Sequence, residues 1–173
     1  MDLNNLVRAS IFCALAIGMG FSLMLVPNVE LITVIVFLSG LILGAKWGTL
    51  VGGTAIFIYS GLNPMGSGLS FPPLFFMQII GMSITGAVGG LVRPIFNQKK
   101  IGVISLIGLS VLGFLVTLIY DLLTLVSYPI SAGLGMPGIY ASLVKGLGFT
   151  VLHEISNAIV FVVAVPGVVK YLK

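Results

Sequence analysis

The sequence predicts an all-α integral membrane protein, a single domain of six transmembrane helices over residues 1–173 with both termini cytoplasmic. Three observations predict it. Of the 173 residues, 58% are hydrophobic and only 7% charged, with a mean hydropathy of +1.24, whereas a water-soluble domain carries roughly 25% charged residues. Apolar runs of helical length recur along the chain, separated by short polar or Pro/Gly breaks. Lys and Arg fall in alternate breaks only, which is the pattern that orients membrane helices.

The first segment, Leu6–Val26, is too long for a signal-peptide core, and no clean small-x-small cleavage pattern follows it, so it reads as a retained helix. Val29–Ala45 follows after the break "PN". There Asn28 is placed to cap the second helix, and Glu30 then stands in its first turn, where the helix dipole favours a carboxylate. From that position either residue can also touch a ligand. Trp47–Ser60 is short of the roughly 20 residues a span needs, so it tilts little or extends into the glycine-rich stretch behind it. Pro72–Val92, Ile101–Ser127 and Ser142–Val169 complete the set.

Charge placement gives the orientation. Arg8 precedes the first core, Lys46 lies in the second connection, Arg93, Lys99 and Lys100 in the fourth, and Lys170 and Lys173 at the end. The connections "PN", "GLNPMGSGLS" and "YPISAGLGMPGIYA" contain neither Lys nor Arg, and Lys145 lies just inside the last helix. Positive charge marks the cytoplasmic face. The net charge of +4 is thereby explained by the lipid bilayer, with no nucleic-acid partner. The outward connections after the third and fifth segments are the longer ones, rich in Gly, Pro, Ser and Asn. They suit lids over a site open to the outside, and equally simple connectors. A single cysteine, Cys13, allows no intramolecular disulfide and has no metal-ligand spacing around it.

Small residues recur at helical spacing. Gly40, Gly44, Gly48 and Gly52 stand four apart across the Lys46–Trp47 turn, and Gly81, Gly86, Gly89 and Gly90 repeat the theme in the fourth segment. Such stripes let helix backbones approach closely and read first as internal packing. A third stripe, Ser10, Ala14 and Gly18 with Ser22, lies on a terminal helix where a partner protein has room to dock.

Polar residues inside apolar segments carry the functional signal, because ionisable groups in a bilayer are costly and mark substrate or ion pathways. Thr117, Asp121, Thr124 and Tyr128 form one stripe on the fifth helix. Thr150, His153 and Asn157 line one side of the sixth, with Glu154 adjacent and Lys145 nearer the outer end. Counting inward from the connecting loop at 1.5 Å per residue puts Asp121 level with His153 and Glu154. Gln78 and Tyr59 can join them from the fourth and third helices, making a small pocket of mixed charge with Tyr120 and Tyr128. Against this stands a structural reading in which Asp121 pairs with His153 or Lys145 as interhelical glue and the threonines bond their own helices. No Ser-His-Asp elbow, HExxH or phosphate-binding Gly-Lys-Ser/Thr loop is present, so no enzyme, metal or cofactor is expected. Nor is there ATPase machinery, and uphill transport would draw on a partner or an ion gradient.

The small stripe of the first helix (Ala9, Ser10, Ala14, Ala16), then "VPNVELITVIVFLSGLILGAKWGTLVGG" and "GMSITGAVGGL", resemble the S component of an energy-coupling factor (ECF) vitamin transporter. The likeness in helix number, length and topology spans nearly the whole chain, with its sequence core from Leu25 to Leu91. It implies a multi-pass protein of a bacterial or archaeal cytoplasmic membrane. It further implies capture of a vitamin or related micronutrient from outside, followed by association with a transmembrane coupling protein and cytoplasmic ATPases. The family docks its coupling protein on an Ala-xxx-Ala motif of helix one, and here Ser10, Ala14 and Gly18 stand at the equivalent spacing. The substrate-binding residues expected on this reading are Asp121, His153, Glu154, Asn157, Lys145, Gln78, Tyr59, Tyr128, Asn28 and Glu30. A non-transporting scaffold subunit of an envelope complex and a solitary ion-coupled carrier are the competing readings.

Overall fold

Apolar segments with few charges fold here into helices, as the hydropathy pattern requires. The computed structural model describes residues 3–97 and 102–170. Lys99, Lys100, Lys173 and Ile101, used above for orientation and for the start of the fifth segment, lie outside them. Among the described residues there is no strand. The helices are α1 (Leu3–Leu23), α2 (Ile32–Leu43), α3 (Ala45–Gly61), α4 (Pro72–Leu91), a short α5 (Arg93–Asn97), α6 (Val103–Ser131) and α7 (Gly135–Lys170). A 3-10 turn, Gly68–Ser70, sits in the connection between α3 and α4. α1, α4, α6 and α7 are long and apolar enough to cross a bilayer, as in a multi-pass membrane protein. α2, at 12 residues, and α3, at 17, are shorter.

The sequence of α2, "ITVIVFLSGLIL", is apolar on every face, and a helix of that kind belongs in an interior. All of its residues are buried except Ile42, which is partly so. α1, α3, α4 and α7 pack against it, while α6 bridges α4 and α7. α1 packs on α2 and α3 and α7 on α2 and α6, so the ring around α2 is open between α1 and α7. Facing residues give the directions. Gly40 lies against Gly48 and Val36 against Gly52, so α2 and α3 form an antiparallel hairpin, whereas Phe37 faces Phe161 and Glu30 faces Asn157, so α2 and α7 run parallel.

The glycine ladder is the seam of this bundle. Gly44, at φ +95°, makes the whole turn between α2 and α3, a backbone angle that glycine adopts without a Cβ penalty. A Cβ on Gly40 would run into the backbone of Gly86, one on Gly86 into Gly48, one on Gly52 into Met82, and one on Gly89 into Phe37. Three helices therefore meet backbone to backbone, which only residues without side chains permit.

Two connections differ from the sequence reading. The first is not "PN" alone but residues 24–31, because α1 ends at Leu23 and α2 begins at Ile32. Asn28 is consequently no helix cap: it sits at φ +56° in the left-handed region, three residues ahead of the actual cap position, Leu31. Glu30 likewise precedes the helix instead of standing in its first turn, but its Oε2 accepts the Thr33 N–H at 2.9 Å and so performs the capping. The second difference lies between the last two helices. Expected as a long loop, it is only residues 132–134, because α6 continues through Pro129 and α7 starts before Ser142. Proline at 129 leaves the carbonyl of Leu125 without its helical N–H partner. The hydroxyl of Ser142 on α7 donates to that carbonyl at 2.7 Å, which lets the helix continue.

Candidate functional site

Three chain segments bring polar side chains to one place at the end of the bundle opposite Arg8, Lys46, Arg93 and Lys170. His153 of α7 holds the middle. Its Nδ1 faces the Asp121 carboxylate of α6 at 3.0 and 3.1 Å, and its Nε2 lies 3.7 Å from Glu30 Oε1, in the connection ahead of α2. One turn further along α7, Asn157 Nδ2 donates to the same Glu30 oxygen at 2.8 Å. The Asp121 contact is a hydrogen bond, whereas 3.7 Å to Glu30 is beyond hydrogen-bond reach and within ion-pair distance of a protonated ring. Sequence counting placed Asp121 and His153 at one level, and the structure joins them directly. Lys145, the alternative partner, is exposed on α7.

A second polar group adjoins the first. Tyr120, next to Asp121 on α6, meets the His153 ring edge-on with centroids 6.5 Å apart. Its phenol has the Gln78 side chain as a hydrogen-bonding neighbour. Gln78 Oε1 in turn accepts the buried Ser60 hydroxyl of α3 at 2.5 Å. Ser60 was not singled out in the sequence, where a serine at the end of an apolar run resembles any helix terminus.

Beside Glu30 and His153 is a cavity of about 230 Å³. Glu30, His153 and Tyr59 supply its polar wall, and Gly20, Met24 and Asn28 are among the residues closing it from the end of α1 and the 24–31 connection. Tyr59 is held by the Phe21 ring, with centroids 5.0 Å apart. Asn28 thus reaches the site through the cavity wall instead of through a helix cap.

Tyr128 and the threonines of the two sequence stripes stand apart from this group. Tyr128 is 61% exposed and packs its ring 6.0 Å from Phe71, outside this cavity. The hydroxyls of Thr117, Thr124 and Thr150 are spent on carbonyls of their own helices, Gly113, Asp121 and Gly146. Glu154 is buried, with its Oε1 lacking a hydrogen-bond partner, and Asn157 Oδ1 is in the same condition. Both lie on the face of α7 turned into the bundle, one helical turn apart.

The first-helix stripe is on the surface. Ser10, Ala14 and Gly18 are exposed, while the opposite positions Ala9, Ala16 and Gly20 are buried. Ser10 and Ala14 border a shallow groove of about 460 Å³ between α1 and α3, shared with Leu6, Cys13, Trp47 and Leu50. A Cβ added at Gly18 would meet no atom within 4 Å.

Compared with protein-family models, with curated proteins and with solved structures, the chain finds no match.

Proposed function

We propose that this chain is the substrate-capturing membrane subunit of an ECF-type transporter, taking a small vitamin-like molecule from outside and passing it inward with a coupling protein and ATPases. The observation that carries the reading is the cavity beside Glu30 and His153. An otherwise apolar bundle concentrates the carboxylates of Glu30 and Asp121, the His153 imidazole, the amides of Asn157 and Gln78 and the phenols of Tyr59 and Tyr120 at one end, under a connection eight residues long. Polar groups at membrane depth are expensive, and an open cavity beside them is the arrangement of a ligand site. The roles follow from position. Glu30 and His153 would hydrogen-bond the ligand, Tyr59 would cover it, and Asp121 and Asn157 would orient the two that touch it. The exposed small face of α1, with Ser10, Ala14 and Gly18, would receive the coupling protein, since close helix contact needs small residues there.

Purified full-length protein should carry or bind a small molecule in native mass spectrometry, and a vitamin panel should contain a compound that raises its melting temperature. A ligand at one hundred times its Kd adds about 2.7 kcal/mol by mass action. Asp121→Asn and His153→Ala should weaken retention. A panel with no binder, together with unaltered folding in both variants, would sink the reading.

One observation favours a scaffold role instead: the stripe threonines bond only their own helices. On that reading Asp121→Asn lowers the melting temperature and no compound raises it.

A further inference from the structure

The polar cluster holds more acid than base. Glu30 and Asp121 flank His153, and Glu154 is the next residue on α7. Among the described residues, the cations Arg8, Lys46, Arg93 and Lys170 belong to the opposite end of the bundle. Lys145 is the exception, but it is exposed and lies eight residues from His153, about 12 Å along the helix. Three carboxyl groups thus stand around a single imidazole, so the groups able to carry negative charge outnumber the one able to carry positive charge. An unbalanced carboxylate away from water is costly, and a ligand that completes the balance recovers that cost. Glu30 and Tyr59 both line the cavity, and a carboxylate and an aromatic ring are both side chains that attract positive charge.

We propose that the molecule taken by the Glu30–His153 cavity is a small cation, a protonated amine or amidinium joined to a flat ring, and that carboxylates are excluded. This rests on the substrate-capture reading and names its ligand class. The cavity volume of about 230 Å³ limits the ligand to one ring with short substituents, since pockets for drug-sized molecules run from roughly 300 Å³ upward.

The test uses full-length protein in detergent and three probes of one shape and different charge: benzamidine, benzamide and benzoate. Affinities are read by thermal shift and native mass spectrometry. Benzamidine should bind at least about tenfold tighter than benzoate, with benzamide between, because like-charge juxtaposition is strongly unfavourable. Glu30→Gln, which keeps an oxygen for the Thr33 N–H, should shrink that preference to near unity, and Asp121→Asn should reduce it. Circular dichroism of each variant checks that it is folded. Equal binding of benzamidine and benzoate, or tighter binding of benzoate, overturns the charge assignment while leaving the capture reading standing. A preference unchanged in both folded variants also overturns it. If none of the three binds, the ligand class proposed here is overturned, while the capture reading is decided separately by the vitamin panel.

Discussion

Replacing His153 by alanine would remove the ring that hydrogen-bonds Asp121 and lies within ion-pair distance of Glu30. Both His153 and Asp121 side chains are only 13% exposed, so water screens them little. Loss of one partner from such a buried charged pair costs about 3–5 kcal/mol. His153→Ala should therefore lower unfolding free energy in detergent by that order, and His153→Gln, which keeps a donor, by less. A loss under about 1 kcal/mol would mean that the ring does not bridge the two acids. Thr117→Val should behave differently, although Thr117 belongs to the same sequence stripe as Asp121. Its hydroxyl bonds the Gly113 carbonyl of its own helix at 2.8 Å, and removing it leaves no orphaned donor. The change should stay within about 1 kcal/mol and leave ligand retention unaltered. Asp121 and His153 were legible because acids and imidazoles are rare in apolar segments, whereas the depth count starts from a loop that the structure shortens to residues 132–134. Glu30 was legible as a residue but not in its full role. Its spacing to the helix looked like dipole stabilisation, and only the folded connection shows its second oxygen facing Asn157 and His153.

Glycines on two helix faces should respond in opposite directions. A Cβ at Gly86 would meet the Gly48 backbone, which cannot step aside without moving α3. Gly86→Ala should destabilise by about 1–3 kcal/mol or more. Gly108, on α6, has no atom within 4 Å of an added Cβ, and Gly108→Ala should stabilise by about 0.5–1 kcal/mol through reduced chain entropy. Equal effects at the two sites would refute a backbone-contact seam between α3 and α4. The ladder was readable from sequence because the i, i+4 rule needs no partner. The ends of α6 and α7 were not, because their extension depends on a bond between residues 17 apart in the chain, Ser142 to Leu125. Ser142→Ala should cost about 1–2 kcal/mol by leaving that carbonyl unpaired. In a Pro129→Ala background the helical N–H returns and the cost should largely vanish. Additive effects in the double-mutant cycle would disprove the link.

For the molecule as a whole, the helix directions and the charges make a joint claim about sidedness. α2 runs antiparallel to α3 and parallel to α7, so the α2–α3 turn with Lys46 shares an end with Arg93 and the close of α7. The cavity and the 62–71 connection share the other. By the rule that basic residues near helix ends stay on the cytoplasmic side, the cavity is predicted to face outward. Cysteine labelling in intact cells tests this, once Cys13 is replaced by serine. Met65→Cys, in the 62–71 connection and 70% exposed, should react with a membrane-impermeant maleimide added from outside. Lys46→Cys should react only after the membrane is opened. The reverse pattern would point the Glu30–His153 cavity into the cytoplasm, where a subunit that captures external solute has no use for it. The capture reading then fails even if a cation binds, because affinity depends on the cavity's charges alone, whereas uptake depends on which side of the bilayer they face.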